Sequence, residues 1–123
     1  MAAAGGSAQH LDLLERATDL RADATRHLTA LAGDASMCAI GRSGRSFPAA
    51  KYHEGRQAAA NEVRRALRRD PGAHVLAGIT DVWTTRADEA SEKGPDWVAY
   101  FAGGLDALAE LAASGPPTLA SES

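Results

Sequence analysis

Residues 41–46 read Gly-Arg-Ser-Gly-Arg-Ser, and in this stretch residue types and spacing come closest to those of a ligand site. Glycines free backbone N–H groups to turn toward an anion, Ser43 and Ser46 add hydroxyls, and Arg42 and Arg45 add charge. Ser46 can cap a helix, and Pro48 suits its first turn. The N-terminus of that helix carries about half a positive charge, so phosphate or carboxylate is favoured beside it. Arg42, Ser43, Arg45 and Ser46 are therefore the candidate anion-binding residues. The loop lacks the Lys-Ser/Thr ending of a nucleotide-binding P-loop and no convincing strand precedes it, so the competing reading is a solvated hinge.

Other groupings carry weaker chemistry. Cys38 precedes the loop as a phosphatase nucleophile would, but the sixth residue after it is Gly44, with Arg45 one place too late to clamp a phosphoryl group. An inert, buried cysteine is the simpler reading. Asp19, Asp23 and His27 fall four apart, a spacing that could converge on a metal with His53 and Glu54. Arg16, Arg21 and Arg26 lie nearby to neutralise those carboxylates, so no metal is expected, and no cofactor motif is present.

The strongest sequence signal is charge segregation. Between residues 42 and 69 stand Arg42, Arg45, Lys51, Arg56, Arg64, Arg65, Arg68 and Arg69 against only Glu54 and Glu62, a local charge of about +6. The rest of the chain sums to about −9, and the whole to −3. Such polarity points to an anionic partner, to the protein's own acidic face, or to a second copy. Lys51, Arg56, Arg64, Arg65, Arg68 and Arg69 are the candidate contact residues, with the last four forming two i,i+4 pairs of the kind that meets phosphates. Cations in a last helical turn also favour the helix dipole by roughly 0.3–1 kcal/mol each, so a purely structural role competes.

These residues must be held by helices. Leu11, Leu13, Leu14, Ala17, Leu20, Ala24, His27, Leu28 and Leu31 recur at three- and four-residue intervals, predicting a first helix that Gly33-Asp34 stops. Residues 35–40 are apolar and remain open between extended and helical. A second helix is expected over residues 48–69, with Tyr52, Ala59, Val63, Ala66 and Leu67 as its apolar side and Arg56 within that side. Asp70-Pro71-Gly72 ends it and can cap a third, whose Val75, Leu76, Ile79, Val82, Trp83, Ala87 and Ala90 keep the helical period. Gly94-Pro95-Asp96 repeats the stop, and Trp97, Phe101, Leu105, Leu108 and Leu111 mark a fourth helix. Gly103-Gly104 inside it costs roughly 1 kcal/mol per glycine, which implies a close crossing or a local break.

The expected fold is thus a small all-α bundle of about four helices: one domain over residues 9–114, with disordered tails at 1–8 and 115–123. Six aromatic residues make a thin core, which favours close helix packing and a homo-oligomer that completes burial, with Gly103-Gly104 beside Trp97 as the meeting point. One cysteine, no long apolar run and no basic, apolar leader point to a cytoplasmic protein without membrane contact. The function expected is binding or regulation: a basic loop and helix at residues 42–69 acting on an acidic protein partner or anionic ligand. The alternatives are nucleic-acid backbone binding and a small enzyme using Arg45, Arg56, His53 or Glu54 on an anionic substrate. An enzyme would gather Arg56, His53 and Glu54 in one concave pocket, whereas a binding module would leave them apart on a convex face.

Overall fold

The computed structural model describes residues 2–33, 48–70 and 74–113. They form four helices: α1 (Ala2–Gly33), α2 (Pro48–Arg69), α3 (His74–Ala90) and α4 (Pro95–Ala113). The all-α class and the number of helices are those the apolar periodicity predicts. Helix α1 begins at Ala2, within the segment expected as an N-terminal tail. Pro48 opens α2 as its fixed φ requires. Gly94, at φ 107°, makes the turn between α3 and α4, accepts from the Val98 N–H at 3.1 Å and leaves Pro95 in the first turn. Asp96 then sits inside that turn rather than capping it, where its charge favours the helix dipole. Among the described residues no helix is long and apolar enough to cross a membrane.

Contact positions give the directions of the helices. Gln57 reaches Thr25 and Arg64 reaches Thr18, so α1 and α2 run antiparallel. Tyr52 reaches Asp106 and Arg56 reaches Glu110, a constant offset of 54 residues, so α2 and α4 run parallel. In an up-down bundle parallel helices are diagonal neighbours, and here that diagonal is the most intimate helix contact among the described residues. Helices α1 and α3, on the other diagonal, do not meet.

Glycine explains the collapsed diagonal. A Cβ placed on Gly55 would overlap the carbonyl of Tyr100, one on Gly103 would overlap the carbonyl of Tyr52, and one on Gly104 would run into the ring of Trp83. The two backbones therefore touch where side chains are missing, and Gly103-Gly104 makes the close crossing that the glycine pair implies. The glycines are used within one chain, so they no longer argue for a second copy.

The core follows the seam. Ala17, Leu20, Ala59, Ala60, Val63, Leu67, Val75, Ile79, Trp83, Ala107, Leu108 and Leu111 form one buried cluster. Leucine periodicity alone places the stripe of α4 too far toward its aromatic side. Its buried face is Gly103, Gly104, Ala107, Leu108 and Leu111, with Trp97 44% exposed and Phe101 and Leu105 half-buried. Leu11 on α1 and Val82 on α3 are likewise exposed. Trp83 is the main anchor: 3% exposed, it packs on Tyr100 and Phe101 with ring centroids 5.6 and 5.4 Å away and donates from Nε1 to Glu62 at 3.0 Å.

Candidate functional site

The cations of α2 divide into those facing the protein and those facing away. Arg56 lies on the apolar side of the helix, and its side chain is only 11% exposed. It donates from Nη1 and Nη2 to the two carboxylate oxygens of Glu110 at 2.7 and 3.2 Å, a bidentate pair across the glycine seam. That contact raises its guanidinium pKa against the opposing effect of burial. One turn earlier, the Tyr52 hydroxyl donates to Asp106 at 2.6 Å, which raises the phenol pKa, with burial adding to the effect. Tyr52 and Arg56 on one helix thus match Asp106 and Glu110 on the other, i,i+4 against i,i+4. Lys51 is also engaged internally: it pairs with Glu54 at 3.2 Å and lies 5.2 Å from the centre of the Trp97 ring.

Arg64 faces α1. Its Nε donates to Thr18 Oγ1 at 3.0 Å and its Nη1 to Asn61 Oδ1 at 2.9 Å. Arg65, Arg68 and Arg69 are exposed, and among the described residues none has a hydrogen bond or ion pair. Arg69 borders a groove between α2 and α3 with Ala66, Val75, Ile79 and Val82. With successive residues about 100° apart around a helix, Arg64, Arg68, Arg65 and Arg69 fan over an arc of about 140°. Of the six contact residues expected from the sequence, Lys51 and Arg56 are thus used internally, Arg64 is partly used, and Arg65, Arg68 and Arg69 are spare. Arg42, Ser43, Arg45, Ser46 and Cys38 lie outside the described residues.

Arg56 and Glu54 line different clefts. Arg56 borders a cleft with Asp19, Asp23, Arg26 and Glu110, whereas Glu54 borders another with Thr25, Gln57 and Tyr100. His53 stacks on His27, with ring centroids 4.6 Å apart and planes 12° from parallel. No group of described His, Cys, Asp and Glu residues could hold a metal ion. Asp23 is instead paired with Arg26 at 3.0 Å, and His27 Nδ1 meets the Asp23 carbonyl at 2.9 Å. On α1, Arg16 bonds Asp12 at 2.9 Å and donates to the Leu111 carbonyl at 3.2 Å, supplying a cation to the last turn of α4, which has none of its own.

The stacked histidines give a pH prediction. His53 Nδ1 is buried and, among the described residues, without a hydrogen-bond partner. Burial holds its pKa below the ordinary 6.5, His27 and Arg56 lower it further, and Asp23 opposes them. The unfolded chain therefore takes up a proton before the folded one does, so this residue's contribution to stability is lost as pH falls below about 6.5. In urea titrations at pH 7.5 and 5, His53→Phe, which keeps a stacking ring, should lose less stability on acidification than the wild type. An equal loss would place the acid sensitivity elsewhere.

Sequence reasoning missed Gly55 as a seam residue, the roles of Asp106 and Glu110, and Arg21 beside Arg64. The matched four-residue spacings of Tyr52/Arg56 and Asp106/Glu110 were the available signal for the second of these. No protein-family model, curated protein or solved structure matches this chain.

Proposed function

We propose that this protein is a small helical binding or regulatory module that engages an acidic protein partner through the outward arc of Arg65, Arg68 and Arg69. The observation that carries the reading is the division of the cations of α2: Lys51 and Arg56 have acidic partners within the chain, whereas these three are exposed and unpaired among the described residues. Unpaired arginines on a helix that is packed along its opposite face offer a rigid surface, so little ordering cost opposes association. Opposite charge on a partner would speed encounter and fix orientation. Arg56 and Glu54 line different clefts, which supports the binding reading over the enzyme one.

The test is affinity capture from the native cell with and without nuclease, using the wild type and Arg65→Glu/Arg68→Glu/Arg69→Glu. A protein partner that survives nuclease and is released by the triple reversal is the expected result. Loss of all captured material on nuclease treatment would favour nucleic-acid backbone contact, and the log-affinity versus log-salt slope should then flatten by up to about three units in the reversed variant. Capture unaffected by the reversal would remove this surface from function.

A further inference from the structure

Arg64 differs from every other arginine with a tertiary contact among the described residues. Arg16 reaches Leu111 while holding Asp12, and Arg56 holds Glu110, so each carries a carboxylate. Arg64 crosses from α2 to α1 and finds only neutral oxygens, those of Thr18 and Asn61. The Thr18 hydroxyl donates its own proton to the Leu14 carbonyl at 2.9 Å, so its oxygen is fixed as an acceptor and the Arg64 fork is held in place.

Two further arginines flank that fork. Arg21 stands one turn from Thr18 on α1, and Arg68 stands one turn from Arg64 on α2. Both are exposed and neither has an ion pair among the described residues. The helical neighbours of Arg21 at three and four residues are Ala17, Thr18, Ala24 and Thr25, and those of Arg64 are Ala60, Asn61, Leu67 and Arg68. None is acidic. Partial burial first, then the charges of Arg21 and Arg68, hold the Arg64 guanidinium below its ordinary value, with no carboxylate among the causes. Asp19 and Asp23 of α1 border the cleft shared with Arg56 and Glu110, which is a different face.

We infer that Arg21, Arg64 and Arg68 form a binding site at the α1–α2 seam for a compact dianionic oxyanion, a phosphate monoester group. Three guanidinium groups from two helices, one of them pre-oriented by neutral acceptors, match a group with several oxygens and two negative charges. The site adds two residues, Arg21 and Arg64, to the proposed partner surface and rests on that reading only in sharing Arg68. The phosphate could be free or carried on a phosphorylated side chain.

Calorimetric titration of the full chain at fixed ionic strength, with inorganic phosphate, a phosphoserine peptide and its unphosphorylated form, tests this site. Phosphate should bind, and Arg21→Gln and Arg68→Gln, both at exposed positions, should each weaken it about tenfold or more. Arg69→Gln, on the α3 side, should change it less than twofold. Tighter binding of the phosphopeptide than of inorganic phosphate would assign the group to a protein ligand, and equal affinity to a free phosphate. Absence of phosphate binding, equal binding of the unphosphorylated peptide, or an affinity unchanged by Arg21→Gln would overturn the inference. Those outcomes leave the nuclease-resistant capture untouched, so the two proposals fail separately.

Discussion

Alanine at position 55 or 103 is expected to destabilise the domain by about 3 kcal/mol, the upper end of what overpacking costs and a large share of a small domain's total stability. Each added methyl would overlap a main-chain carbonyl of the facing helix, Tyr100 in one case and Tyr52 in the other, and neither backbone can rotate away. The only relief is separation of α2 from α4, which would also stretch the Tyr52–Asp106 and Arg56–Glu110 contacts. Alanine's helix propensity returns about 1 kcal/mol, too little to compensate. The internal control is Gly78, exposed on α3 with nothing within 4 Å of an added Cβ. Gly78→Ala should raise stability by up to about 1 kcal/mol. Thermal unfolding followed by circular dichroism should show Gly55→Ala and Gly103→Ala at least about 12 °C below the wild type, or failing to fold, and Gly78→Ala slightly above it. A stable Gly103→Ala protein would mean that the diagonal contact is looser than described.

Trp83→Ala is expected to cost about 3–5 kcal/mol. The ring is the one aromatic side chain in a buried core otherwise built from alanine, valine, leucine and isoleucine, among the described residues, and it lies against Gly104 with Tyr100 and Phe101 around it. Removing it opens a cavity at the junction of α2, α3 and α4 and leaves Glu62 without its indole donor. Trp83→Phe should cost less, because it keeps much of the ring volume while forfeiting the hydrogen bond. Guanidinium titrations read by far-ultraviolet circular dichroism would rank the three proteins. A Trp83→Ala variant within 1 kcal/mol of the wild type would show that the aromatic cluster does not anchor the bundle.

The four helices were legible because leucine and valine recur at helical spacing and because Gly33, Asp70 and Gly94 stand near the breaks. Which faces are buried was less legible. Hydrophobic periodicity weights large residues, yet at the α2–α4 seam the decisive residues are glycines and alanines, so the stripe of α4 came out rotated toward Trp97. Gly103-Gly104 announced a close crossing, but sequence could not say whether the facing helix belonged to the same chain. Arg56 on the apolar side of α2 read as a flaw in the stripe until Glu110, 54 residues away, supplied its partner. The excess charge of residues 42–69 was plain in the sequence, whereas its division into inward and outward sets depends on which side of α2 faces α1 and α4.

That division is the central claim, and one thermal denaturation comparison tests it most directly. Arg56→Gln removes an inward cation that makes two charge-assisted bonds; discounted for the half-exposure of Glu110, the loss should be about 1–2 kcal/mol, or roughly 4–16 °C. Arg65→Gln/Arg68→Gln/Arg69→Gln removes three outward cations at once. Their favourable interaction with the helix end is offset by mutual repulsion along one face, so this variant should melt within about 4 °C of the wild type. A triple variant melting more than about 8 °C below the wild type, or an Arg56→Gln variant melting with it, would contradict the account: the outward arginines would then hold the fold rather than stand free for a partner.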